Sequence, residues 1–216
     1  MILRNFKKLF ILISVILIAL ILFSCGDNAL KFKNDGNTGN LIDGENGRYY
    51  IYCKGYLQAA AISPYIYAKG DQGEKLYEVD GIDPSKWLSE DINNGIAFLF
   101  REQSEEEPEF ETFETERIHI VMSEEVSVAV GLIDDMKDVY TIVNDYIYNP
   151  ETDYPGFVTD RFDFCFESEK YSGIYYVLQY LVDERNNAYL YNRWTGRCVS
   201  CGVKLFGGSG VGADID

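Results

Sequence analysis

Tyr50-Ile51-Tyr52-Cys53-Lys54-Gly55 returns fifteen residues later, almost letter for letter, as Tyr65-Ile66-Tyr67-Ala68-Lys69-Gly70. Each copy is a β-prone run that ends on a glycine turn signal. Two copies this close predict neighbouring strands, since solenoid repeats are longer and more numerous. The C-terminal third carries the same signature. Phe162, Phe164 and Phe166 alternate with Arg161, Asp163 and Cys165. The apolar run 174–182 turns back at 184–187 into 188–191, and a second turn at 192–197 leads into 198–203. Residues 96–100, 117–122 and 126–133 add further strands.

Between these runs the period changes. Met136, Val139, Tyr140, Val143, Tyr146 and Ile147 follow helical spacing, with Asp134 or Asp135 as cap and Asn149-Pro150 as stop. Asp83-Pro84-Ser85 predicts a second, short helix with Trp87, Leu88 and Ile92 on its buried side. Residues 104–116, rich in Glu and broken by Pro108, read as an exposed excursion. The class expected from this pattern is α+β: antiparallel sheet or sheets, one or two packed helices, and a C-terminal β-meander.

The ends of the chain are of a different kind. Arg4, Lys7 and Lys8 precede an apolar run from residue 9 to 23, then Ser24 and Cys25. A basic head, an apolar stretch and a small residue at the cut make a secretory signal. Leu22-Phe23-Ser24-Cys25 resembles the lipobox of bacterial lipoproteins, although Phe23 stands where that family usually has a small residue. The resemblance covers residues 1–25 only. It implies cleavage before Cys25, a diacylglyceryl group on its thiol, and a domain held at a bacterial membrane or outer surface. An uncleaved anchor is the alternative, but 15 residues span roughly 22 Å against a hydrocarbon core of about 30 Å. Residues 25–48, with five Gly and five Asn between 26 and 48, read as a flexible tether; 49–206 as one acidic domain; 207–216 as a Gly-rich tail.

Charge narrows the partners. The chain has 216 residues with 35 acids against 19 bases, and 26–216 keeps a net charge of -19. Such a surface excludes nucleic acid, whose phosphates require Lys and Arg. The membrane is reached through the lipid on Cys25, and a protein or glycan is the expected ligand.

Catalytic signals are weak. His119 is the only histidine, and it sits mid-strand beside Arg117, which suits a solvated strand residue. Asp35-Gly36 suggests a calcium loop, but the sixth and twelfth positions hold Asn40 and Asn46 where Gly and Glu are needed. No catalytic residue, metal or cofactor is assigned. A carboxylate pair acting on envelope polymers stays open as an alternative, as does a structural or inhibitory role.

Two groups of residues remain. Cys53, Cys165, Cys198 and Cys201 are an even set in an exported domain and are disulfide candidates. On a strand, an offset of three puts Cys198 and Cys201 on opposite faces, so a distant partner such as Cys165 is favoured. The chain also has 17 Tyr, often adjacent. Neighbours on a strand cannot both enter one core, so Tyr175, Tyr189 and Tyr191, with Trp194, are candidates for an exposed binding surface.

Overall fold

The computed structural model describes residues 29–36, 39–92, 96–123 and 127–205. Lys31–Asp216 forms one compact unit. Eight strands come first: β1 (Leu30–Asn34), β2 (Leu41–Asp43), β3 (Tyr49–Tyr52), β4 (Leu57–Ala59), β5 (Ile62–Gly70), β6 (Lys75–Val79), β7 (Trp87–Ile92) and β8 (Ile96–Glu102). They are followed by β9 (Arg117–Ser123), β10 (Ser127–Ile133), helix α1 (Met136–Tyr148), β11 (Val158–Glu167), β12 (Ile174–Asp183), β13 (Ala188–Tyr191) and β14 (Cys198–Cys201).

This arrangement overturns the α+β expectation. The fold is 49% strand and 10% helix, and seven strands close into a barrel. The ring runs β1-β2-β3-β8-β7-β6-β5 and back to β1. Six of its pairings are antiparallel. An odd ring cannot alternate throughout, so β5 and β1 run in the same direction. Their C-terminal ends meet where Asp71 Oδ1 accepts from the Asn34 amide at 2.9 Å.

Two cores result. Phe32, Leu41, Tyr50, Ala68, Leu76, Leu88 and Phe100 are buried within the barrel, apart from the larger cluster. Closure removes sheet edges and leaves an interior just wide enough for side chains to fill. The larger cluster joins Leu57, Trp87 and Leu99 to Ile118, Phe164, Phe166, Leu178, Tyr180 and Leu190. It lies on the C-terminal sheet, ordered β10-β9-β11-β12. β12 carries β4 beside its first half and β13 beside its second, and β14 follows β13. Helix α1 adds Val139, Ile142 and Tyr146. Asp135 caps it, accepting from the amides of Lys137 and Asp138. Its far end is tied to β14, where Asn149 Nδ2 donates to the Ser200 carbonyl at 2.8 Å. Met136 and Tyr140, expected on the apolar side, are exposed.

Four local expectations are corrected. The two near-identical runs fall in β3 and β5, which are not neighbours, because β2 and β1 stand between them in the ring. The second helix is absent: Asp83 Oδ1 accepts from the Ser85 amide and the Asp83 carbonyl from Lys86 and Trp87, closing one turn before β7 begins. Trp87 and Leu88 are both buried because a barrel wall has neighbours on both faces. That consecutive burial imitated a helix face. The stretch 25–48 contains β1 and β2, with Phe32 and Leu41 fully buried. Strands this short bury too few residues to show a period. Residues 104–116 also turn inward: a 3-10 turn at Phe110–Thr112 carries Phe110, and Phe113 follows it into the core.

Candidate functional site

A cavity of about 330 Å³ opens where the 3-10 turn, α1, β12 and the β13–β14 turn converge. Its walls are aromatic. Tyr56 stacks on Tyr176 at 4.8 Å, and Phe110 meets Tyr146 and Tyr176 edge-on at 4.7 and 4.9 Å. Phe110 comes from the segment that charge alone made look exposed. Tyr146 comes from the helix and Tyr176 from the inner face of β12.

The polar wall is the 192–197 turn. The Asn192 amide donates to the Arg197 carbonyl, and Gly196 donates to the Asn192 carbonyl, both at 2.8 Å. The positive φ of Gly196, 79°, lets the turn close. Asn192 is 1% exposed, and its Oδ1 accepts from the amides of Trp194 and Thr195 at 3.0 and 3.2 Å. These bonds fix the amide's orientation, so Nδ2 is the end left over. It approaches the Tyr146 hydroxyl but makes no hydrogen bond of acceptable geometry. Arg197 stands 4.8 Å above the Tyr146 ring, and its Nη2 donates to the Ile147 carbonyl near the end of α1. Its buried Nε has no partner. Buried donors without acceptors cost roughly 1–3 kcal/mol each.

Acids stand nearby. Glu111 and Glu151 line the opening and are exposed. Glu107 is engaged elsewhere: its Oε1 accepts from the Tyr56 hydroxyl at 2.8 Å, and Oε2 lies 3.7 Å from Arg101 Nε. Burial, then Glu107, raises the Tyr56 phenol pKa. Burial also raises Tyr176, and raises Tyr146 against the pull of Asn192, Arg197 and Thr195. The phenols therefore stay protonated near neutral pH, and the Tyr56 proton is already given to Glu107.

Two other depressions are less demanding of a ligand. One of about 480 Å³ is lined by 152–157 and the 183–189 turn. There Asp183 accepts from the amides of Arg185 and Asn187, from Asn187 Nδ2 and from the Tyr189 hydroxyl. The other, about 380 Å³, holds Lys86 paired with Glu105 at 3.1 Å and Lys170, which pairs with Glu114 at 2.7 Å.

The four aromatic candidates do not form one surface. Tyr175, Tyr189 and Tyr191 share the outer face of the sheet but take separate partners: His119 at 5.3 Å, Asp183, and Tyr154 at 4.9 Å. Trp194 is 46% exposed and packs across Gly55 and against Phe98. None of the four lines the cavity. Its tyrosines sit beside them or were absorbed by a packing pattern: Tyr176 adjoins Tyr175, and Tyr146 reads as part of a helix stripe.

His119 is not merely solvated. Its Nε2 lies 2.6 Å from Glu167 Oε2, which also faces Arg117 Nε at 3.5 Å. The disulfide candidates are four free, buried thiols. Cys201 belongs to the larger core, and Cys198 points to the other face of β14. Burial pushes Cys53, Cys165 and Cys201 up to about 12 and Cys198 up to about 11. No group of His, Cys, Asp and Glu among the described residues could hold a metal ion. Cys25 and its leader lie outside the described residues, as does the tail 207–216. No helix among the described residues is long and apolar enough to cross a membrane.

No family model, no curated protein and no solved structure matches the chain.

Proposed function

We propose that the chain is an exported bacterial lipoprotein, anchored through Cys25, whose folded part is a binding module for a small polar ligand. The observation that carries the binding reading is the fixed Asn192 amide. Its Nδ2 is buried without an acceptor in the wall of a tyrosine-lined cavity. Interiors rarely keep such a donor unless something is to meet it. A cavity of this volume suits a small molecule, with aromatic walls for contact area and a few polar groups for orientation. The anchor reading rests on the basic head, the apolar run and Leu22-Phe23-Ser24-Cys25. Two acyl chains hold a protein stably where one holds only marginally.

Two measurements test the proposal. Labelled fatty acid should enter the wild type in cells and not Cys25→Ser; equal labelling, or none in the wild type, removes the anchor. Ligand-observed NMR of the full-length protein in detergent, against mixtures of amino acids, monosaccharides and nucleosides, should show a binder. Thr195→Trp should abolish that signal, because Thr195 is exposed and an indole there plugs the opening. Binding that survives the plug places the ligand elsewhere.

A further inference from the structure

The cavity is lined by charges of both signs. The Arg197 guanidinium, with Nε unpartnered, and the Asn192 amide, with Nδ2 unpartnered, line the cavity. The exposed carboxylates of Glu111 and Glu151 line it too, the latter held beside β14 by its bridge to Val199. Among the described residues, no ion pair joins either Glu to Arg197. A single small molecule that satisfies both kinds of group must carry an anionic acceptor and a cationic donor. The cavity is walled by the rings of Tyr56, Phe110, Tyr146 and Tyr176. Aromatic faces attract an ammonium and accept an apolar side chain equally well.

We propose that the cavity takes a zwitterion of the amino-acid type, a free amino acid or a short peptide end. Its carboxylate meets Arg197 and Asn192, and its ammonium meets Glu111 and Glu151. This rests on the reading of the cavity as a binding site and names the ligand class. The competing occupant is an uncharged sugar, which also uses aromatic walls and an Asn amide. A sugar leaves Glu111, Glu151 and Arg197 without counter-charges. The zwitterion uses all three, and a donor to a charged acceptor is worth roughly twice a neutral pair. The overall negative charge of the chain disfavours a simple anion.

The test is calorimetric titration of the full-length protein in detergent with a panel of free L-amino acids. Each binder is then repeated as its N-acetyl derivative and as its methyl ester. N-acetylglucosamine and a neutral disaccharide serve as the uncharged probes. At least one free amino acid should bind, and blocking either charged end should weaken it by about tenfold or more. Arg197→Gln should weaken the free acid but not further weaken the methyl ester. Glu111→Gln, at an exposed position that leaves the fold alone, should weaken the free acid but not further weaken the N-acetyl form. Asn192→Asp keeps an acceptor for the turn amides and removes the Nδ2 donor, so it should also weaken the carboxylate end. If capped and free forms bind alike, or only the sugars bind, the zwitterion is wrong while the cavity remains a binding site. If nothing in the panel binds, and the plugged Thr195→Trp protein matches wild type against every mixture, both readings fall.

Discussion

The barrel and the C-terminal sheet use the same element in opposite ways. The barrel has strands of three to nine residues, closes on itself and fills its interior with Phe32, Leu41, Tyr50, Leu88 and Phe100. The C-terminal sheet has two strands of ten residues, β11 and β12, and stays open. It ends at β10, where Val128, Val130 and Leu132 are about half exposed. Its inner face is covered by borrowed pieces: α1, the 3-10 turn and the outer wall of the barrel. The closed half pairs its own strands around the ring. The open half needs these three pieces from distant parts of the chain, and their imperfect meeting leaves the cavity. The comparison teaches that a cavity arises more readily where a core is assembled from distant segments than where strands close locally.

The comparison is tested first by truncating one residue in each half. Leu88→Ala empties the barrel, and Phe164→Ala removes a ring stacked on Tyr180 at 4.7 Å in the sheet. The expected losses are about 2–5 and 3–5 kcal/mol. Because Lys31–Asp216 is one compact unit, each should lower a single thermal transition. Two transitions by calorimetry, each sensitive to one substitution, would show that the halves fold separately.

Alkali separates them next. Three of the four thiols, Cys165, Cys198 and Cys201, lie in the open half. Burial holds their folded pKa values above that of an ordinary thiol, so the native state holds its protons more tightly. Stability from this source is whole below pH 9 and is lost as pH rises toward 11–12, at up to about 1.4 kcal/mol per pH unit for one thiol. Denaturant midpoints should therefore fall above pH 9. At pH 8 all four thiols should resist a disulfide reagent until the protein is unfolded. Rapid native reaction, or mapped disulfides, would refute the buried-thiol arrangement.

The smallest effect concerns the junction. A Cβ on Gly55 would lie 2.1 Å from the Trp194 ring, so Gly55→Ala must push the indole off its seat. We expect a loss of about 1–3 kcal/mol, as for overpacking elsewhere. The aromatic near-ultraviolet dichroism should change, with little effect on backbone spectra. An unchanged aromatic spectrum would mean that Trp194 does not bridge the halves.

Much of the open half could be read directly from residue order. Phe162, Phe164 and Phe166 alternate because one face of β11 packs on the core, while on the other only Cys165 is buried. The helix repeats near 3.6 because one stripe of it packs. These are local consequences of one-sided burial, and a single sequence displays them. The barrel was hidden for the converse reason. In a wall buried on both faces, Trp87 and Leu88 can stand side by side, so the strand period vanishes. β1 and β2 are too short for any period, and among Gly and Asn they resemble a tether.

The site divides along the same line. The β-prone runs, the helix cap at Asp135, the turn at 192–197 and the acidic balance are properties of neighbours in the chain, set by backbone sterics, side-chain hydrogen bonds and counting. Which tyrosines meet is a property of residues far apart: Tyr56, Phe110, Tyr146 and Tyr176 span 120 positions and touch only after closure of the barrel and docking of the helix. Local rules carry no information about such distances, because loop-closure entropy grows only slowly with chain length and leaves many long-range pairings comparable in cost. Packing selected one of them. It put Tyr176 into the cavity and its neighbour Tyr175 onto the outer face, as the two-residue pleat of a strand requires.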